Sequence, residues 1–151
     1  MLDSPAARRF VGVWRLEAIR DRLPDGRVQD HPDFGPEPDG FLVYTDSGHV
    51  SVQFMRRGRT AWREEDAPTD AERAEAARGY GAYAGRFEVD EEAGVVRHHV
   101  ETALIPNRVG VTLERSFSFE GKRLTLSPPG FTVRGVGVVR SLVWRRVGEG
   151  I

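Results

Sequence analysis

The stretch GVVRHHVETALIPNRVGVTLERSF, residues 94–117, decides the fold. On both sides of Pro106-Asn107 apolar residues alternate with polar ones, the period of a half-buried strand rather than of a helix. Reading Pro106-Asn107 as a two-residue turn sets Leu104 opposite Val109, Val100 opposite Leu113 and His98 opposite Arg115. Val96, Val100, Leu104, Val109, Val111, Leu113 and Phe117 then fall on one face. Arg97, His99, Glu101, Glu114, Ser116 and Ser118 fall on the other, which marks that side as solvated. Adjacent strand residues point opposite ways, so His98 looks inward and His99 outward.

The same arithmetic extends along the chain. A turn at Gly121 sets Phe117 opposite Leu124 and Arg115 opposite Leu126. A four-residue turn at 91–94 sets Val89 opposite Val96 and Phe87 opposite His98. In FLVYTDSGHVSVQFM a loop ending in Gly48 sets Tyr44 opposite Val50, so Leu42, Tyr44, Val50, Val52 and Phe54 share a face. Phe41, Val43, His49, Ser51, Gln53 and Met55 share the other, and both are too mixed to say which lines an interior. Strands are predicted near 10–21, 27–31, 40–46, 49–56, 85–90, 95–104, 109–119, 122–127 and 137–147. Their spacing, with turn signals such as PDG, TDSG and EGK between them, indicates an all-β antiparallel barrel or sandwich. The exception is TDAERAEAARGYGAYA, residues 69–84, where Thr69 and Glu72 have capping-box spacing before an alanine-rich run. One helix is expected there, bringing Tyr80 and Tyr83 to a barrel mouth, with Gly79 and Gly81 loosening its second half.

Bulk properties fit one soluble domain over 1–151: 30% charged residues, 39% hydrophobic ones and a net charge of −1. That charge gives no footprint for nucleic acid or an anionic membrane, and no apolar run is long enough to cross a bilayer. MLDSPAARRF lacks the apolar core of a signal peptide, so a cytoplasmic location is expected. Cysteine is absent, which removes disulfides, thiolate metal sites and cysteine nucleophiles, and Lys122 is the single lysine. No phosphate loop, nucleophile elbow or dinucleotide fingerprint occurs.

Among individual residues, His99 and Glu101 alternate on one strand and could share an ion, but no third ligand is identifiable. His99, which falls opposite Glu114, reads better as part of a surface cross-strand charge pair; no metal and no cofactor is expected. His98 and Arg115 are a polar pair inside an apolar stripe, to be satisfied by a core network or by a ligand. Arginine beside it disfavours the imidazolium, so His98 is expected to be neutral. Trp14 reads as the plug of one barrel end, covered by an arginine of the last strand, and Trp144 as plug or pocket wall.

FVGVWRL, FGPEPDGFLVYTDSGHVSVQFM, RGYGAYAGRFEVDEEAGVVRHHVETALIPNRVG, RLTLSPP and LVWRRV, in that order, resemble the bacterial lipocalin-like domain family over roughly residues 9–147. Gly12-x-Trp14 matches its first-strand motif. The resemblance implies a closed β-barrel of about 8–10 strands around a pocket for apolar molecules. Some similar barrels are cofactor-free cyclases of polyketide pathways, forming spiroketals or cycloadducts. Under that implication His98 is the acid/base, Arg115 orients or polarises an oxygen, and Tyr44 and Tyr83 donate hydrogen bonds. Phe54, Tyr80, Phe87, Val96, Val100, Leu113, Phe117 and Trp144 complete the pocket. The alternative is a carrier or sensor in which the same residues only satisfy polar atoms of a small hydrophobic or polyketide-like ligand. Either is compatible with a homodimer.

Overall fold

Period-two patterning carries most of this chain into strands that run edge to edge until the last meets the first. The structure is a computed structural model that describes residue 2 and residues 4–148; the remaining ends of the expected 1–151 domain lie outside the described residues. The elements are α1 (Pro5–Arg8), β1 (Gly12–Arg22), β2 (Val28–Asp30), β3 (Asp39–Tyr44), β4 (His49–Met55), α2 (Asp70–Arg78) and β5 (Tyr80–Asp90). They continue as β6 (Val95–Ala103), a 3-10 turn at Pro106–Arg108, β7 (Thr112–Glu120), β8 (Arg123–Ser127), β9 (Phe131–Val133) and β10 (Val136–Arg146). Eight strands close a barrel in the order β1-β3-β4-β5-β6-β7-β8-β10, with β10 returning to β1; β2 and β9 add outside, on β1 and β10. Closure leaves no long unpaired edge in the barrel wall.

Two predicted registers hold and two move. Val89 pairs with Val96, Phe87 with His98, and Tyr44 with Val50, as expected. Between β6 and β7, however, His98 pairs with Leu113 and Arg115 with Val96, a slip of two residues. The cause is the connection: Pro106–Arg108 coils into a 3-10 turn and Gly110 adopts φ +84°, so the loop is longer than two residues. Leu104, Val109 and Val111, expected on the inward stripe, are therefore exposed on that loop. Likewise Phe117 pairs with Leu126 and Phe119 with Leu124, because Gly121 and Lys122 both belong to the turn. Since each slip is an even number, the side chains that stay within β6, β7 and β8 keep their predicted faces.

The helix is shorter than expected. Its N-terminus carries the full capping box between Thr69 and Glu72, but it stops at Arg78 with Gly79 as its cap. Tyr80 and Tyr83 sit on β5, paired with Met55 and Val52 of β4. Strand pairing along both edges of β5 outweighs the helical leaning of an alanine-rich segment broken by two glycines.

One end of the barrel is filled. Phe10, fully buried, packs edge-on against Tyr44, Phe117 and Phe119. Trp14 donates its Nε1–H to the Phe10 carbonyl at 2.9 Å, and the Arg146 guanidinium covers its ring at 4.1 Å. Arg146 also donates to the carbonyls of Val11 and Arg9. Gly12 makes this possible: at φ +137°, a Cβ there would lie 2.6 Å from the Arg146 guanidinium. The first-strand Gly-x-Trp motif is thus a device for seating one arginine.

Candidate functional site

The other end is open. There a cavity of about 630 Å³ lies between the filled core and the barrel mouth. Its apolar wall includes Leu42, Val52 and Phe54 of the β3–β4 hairpin, so the face containing Tyr44 and Val50 is the inward one. Leu113, Leu126 and Trp144 supply the facing wall. Phe34, from the loop between β2 and β3, packs edge-on against Phe54 at 4.9 Å and narrows the mouth.

At the junction of core and cavity stands His98, 1% exposed. The Tyr44 hydroxyl lies 2.7 Å from its Nε2 and the Tyr83 hydroxyl 2.6 Å from its Nδ1. Burial, with Arg115 and His99 nearby, pushes the imidazole pKa down to about 3, so the ring is neutral. A neutral imidazole has one N–H and one acceptor nitrogen, so one tyrosine donates to it and the other accepts from it. The accepting tyrosine keeps a free O–H. Tyr44 is 1% exposed and absent from the cavity wall, whereas Tyr83 lines the cavity. A free proton on Tyr44 would be stranded in the core, at a cost of about 1–3 kcal/mol. The favoured arrangement therefore has Tyr44 donating to Nε2, Nδ1–H donating to Tyr83, and the Tyr83 O–H turned to the cavity. Burial also raises the phenol pKa values, Tyr44 well above the usual range.

Arg115 borders Tyr83 and lines the same cavity. Among the described residues its guanidinium has no carboxylate partner, and one of its N–H groups donates to the Glu114 carbonyl at 3.0 Å. Burial lowers its pKa from the ordinary value, but a guanidinium stays charged. Trp144 is 1% exposed, and its Nε1 is buried without a hydrogen-bond partner among the described residues. Nearer the mouth, Arg140 chelates the buried Asp21 carboxylate at 2.7 and 2.9 Å, with the face of Phe131 4.8 Å away.

Of the residues singled out in the sequence, His98, Arg115, Phe54, Tyr80, Tyr83, Leu113 and Trp144 line the cavity. Tyr44, Phe87, Val96, Val100 and Phe117 instead belong to the packed cluster around Phe10, and Tyr44 reaches the cavity only through His98. Trp144 is pocket wall. The Asp21–Arg140 pair and Phe34 went unseen. A bulge at Glu17 shifts the register between Leu16 and Ala18, so the apparent period of β1 breaks just before Asp21. Phe34 had a weak signal, a lone aromatic inside the turn-rich HPDFGP. On the outer surface His99 bonds Thr112 and Glu88, not Glu114, which pairs with Arg97. Among the described residues no group of three or more metal-ligand side chains comes together, and no helix is long and apolar enough to cross a membrane.

The described geometry agrees with the comparisons. A 4'-hydroxy-3'-methoxypropiophenone carrier protein of Aspergillus oryzae is 35% identical over 107 residues, which are 65% of this chain and 96% of that relative. Residues 11–147 match the family model of the lipocalin-like domain, and by that match the chain belongs to the lipocalin-like domain family.

Proposed function

We propose that the barrel carries a small, flat, oxygenated aromatic molecule in its mouth cavity. The observation behind this reading is the division of the cavity surface: apolar walls, with the deep polar groups Tyr83 and Arg115 presenting hydrogen. A hydroxylated, methoxylated phenyl ketone, the cargo in the fungal relative's name, has a ring for such walls and oxygens for such donors. The volume of about 630 Å³ leaves room for a molecule of that size.

Carriage ranks above catalysis because both nitrogens of His98 are engaged and its basicity is low. A base held near pKa 3 takes a substrate proton poorly at neutral pH. One feature favours a second reading, a cofactor-free cyclase acting on polyketide-like substrates: Tyr44, His98 and Tyr83 form a continuous hydrogen-bonded chain ending at the cavity. Such a chain could deliver a proton from Tyr83 and replace it from behind. Mass spectrometry of material co-purified with the protein, before and after incubation with the released compound, separates the readings. A ligand returned unchanged supports the carrier. An isomer or a dehydrated product supports the cyclase, and the absence of any small-molecule binding would overturn both.

A further inference from the structure

We propose that the cavity holds its ligand as an oxyanion: a flat, mostly apolar molecule whose acidic phenol or enol hydroxyl ionises when it binds beside Arg115. The inference rests on the reading that this cavity is the binding site, and it adds the charge state and chemical class of the cargo.

Hydrogen-bond accounting comes first. His98 offers the cavity nothing, because tyrosine hydroxyls occupy both its nitrogens. Tyr83 presents O–H, and Arg115 presents N–H groups beyond those turned to the Glu114 carbonyl and the Tyr83 hydroxyl. Two donor groups converge on one cavity, and the one carboxylate of its wall among the described residues, Asp33, stands on the loop between β2 and β3. Beside Arg115 a ligand hydroxyl arriving as a donor would meet mostly other donors. Arriving as an acceptor with a full negative charge, it meets charge-assisted bonds, the stronger kind.

The fixed charges agree. The cavity wall carries Arg78, Arg108, Arg115 and Arg140 against Asp33 as its sole carboxylate among the described residues. Arg140 is neutralised by Asp21 and Arg78 by Glu75, neither of them in the wall. Arg108 and Arg115 have no carboxylate partner among the described residues, so two unpaired cations face one aspartate. His31, also at the mouth, is held towards its neutral form by burial and by Arg140, and it adds no compensating charge. Taking a lone guanidinium out of water is unfavourable by several kcal/mol, and an incoming anion removes that cost where a neutral ligand does not.

The test uses 4'-hydroxy-3'-methoxypropiophenone and its 4'-O-methyl ether, which fits the same space but cannot ionise. A para-acyl phenolate absorbs to the red of its phenol, so the charge state of the bound compound is read directly from its spectrum. The bound phenol should be half-ionised about one pH unit or more below the free compound, which is about a tenfold preference for the anion. At a pH well above the free phenol's own midpoint, where the anion is the species taken up, the ether should bind about tenfold more weakly, the same preference seen as affinity. In Arg115→Met the midpoint should return to that of the free phenol or rise above it, and the preference over the ether should vanish. A bound phenol that ionises at the pH of the free one, or an ether that binds equally well, overturns the oxyanion while leaving the carrier reading intact. If neither compound binds, both fall. The parent protein alone gives the decisive spectrum, so a variant that fails to fold does not compromise the outcome.

Discussion

His98 and His99 are neighbours in sequence with opposite environments, and pH tells them apart. The folded state holds the His98 pKa at about 3, against about 6.5 for an unfolded histidine. Between those values the unfolded chain binds a proton that the fold does not, so stability is intact above pH 6.5 and is lost as pH falls towards 3. Going from pH 7 to pH 5 should remove about 2 kcal/mol through this one residue. His98→Gln should lower stability at pH 7, having disturbed the tyrosine bonds, yet flatten the acid limb of a plot of unfolding free energy against pH. An unchanged acid limb would show that the ring is not held neutral. His99, paired with Glu88 and Thr112 on the surface, is a contrast. His99→Ala should stay within about 0.5 kcal/mol of the parent in denaturant unfolding.

At the scale of elements, α2 is the least integrated part of the chain. None of its residues is buried, although Ala77 and Arg78 at its C-terminal end border the cavity. It is held by Arg56 N–H on the Gly79 carbonyl, by Glu72 accepting from the Arg63 backbone, and by its own capping box. A nine-residue helix with no apolar anchor depends heavily on that cap. Thr69→Ala should cost the helix about 1 kcal/mol. Because the barrel core does not include α2, the loss should appear as faster hydrogen exchange and proteolysis over 56–79, with global unfolding unmoved. If the melting temperature falls instead by several degrees, the helix is coupled to the barrel more tightly than its burial indicates.

For the whole molecule, closure is the decisive event. β10 joins β1 along nearly its full length, linking chain segments more than a hundred residues apart. Arg146 locks the joint by covering Trp14 and capping the carbonyls of Arg9 and Val11. Gly12→Ala puts a Cβ where that guanidinium sits, on a backbone conformation that suits glycine. It should destabilise the barrel by about 2 kcal/mol or more in denaturant titration. Far-ultraviolet circular dichroism should remain β-dominated in both proteins; a helical signal above about a third would contradict the barrel itself.

The sequence by itself determined which face each residue takes and where most strands run. Side-chain alternation has period two and survives an even slip in register, so His98, Leu113 and Arg115 pointed inward before their partners were known. The capping box and the Gly-x-Trp motif were legible for the same reason: both are local chemistry at fixed spacing. Only the tertiary structure decided that Tyr80 and Tyr83 are strand residues, since an alanine- and glycine-rich segment has no strong preference until β4 and β6 pair with it. It alone divided the inward stripe into packed core around Phe10 and open cavity above His98, for depth along a barrel depends on what fills the end. It alone showed Trp144 with a stranded N–H and Arg115 without a carboxylate, because an unmet partner is a property of the surrounding space and not of the residue.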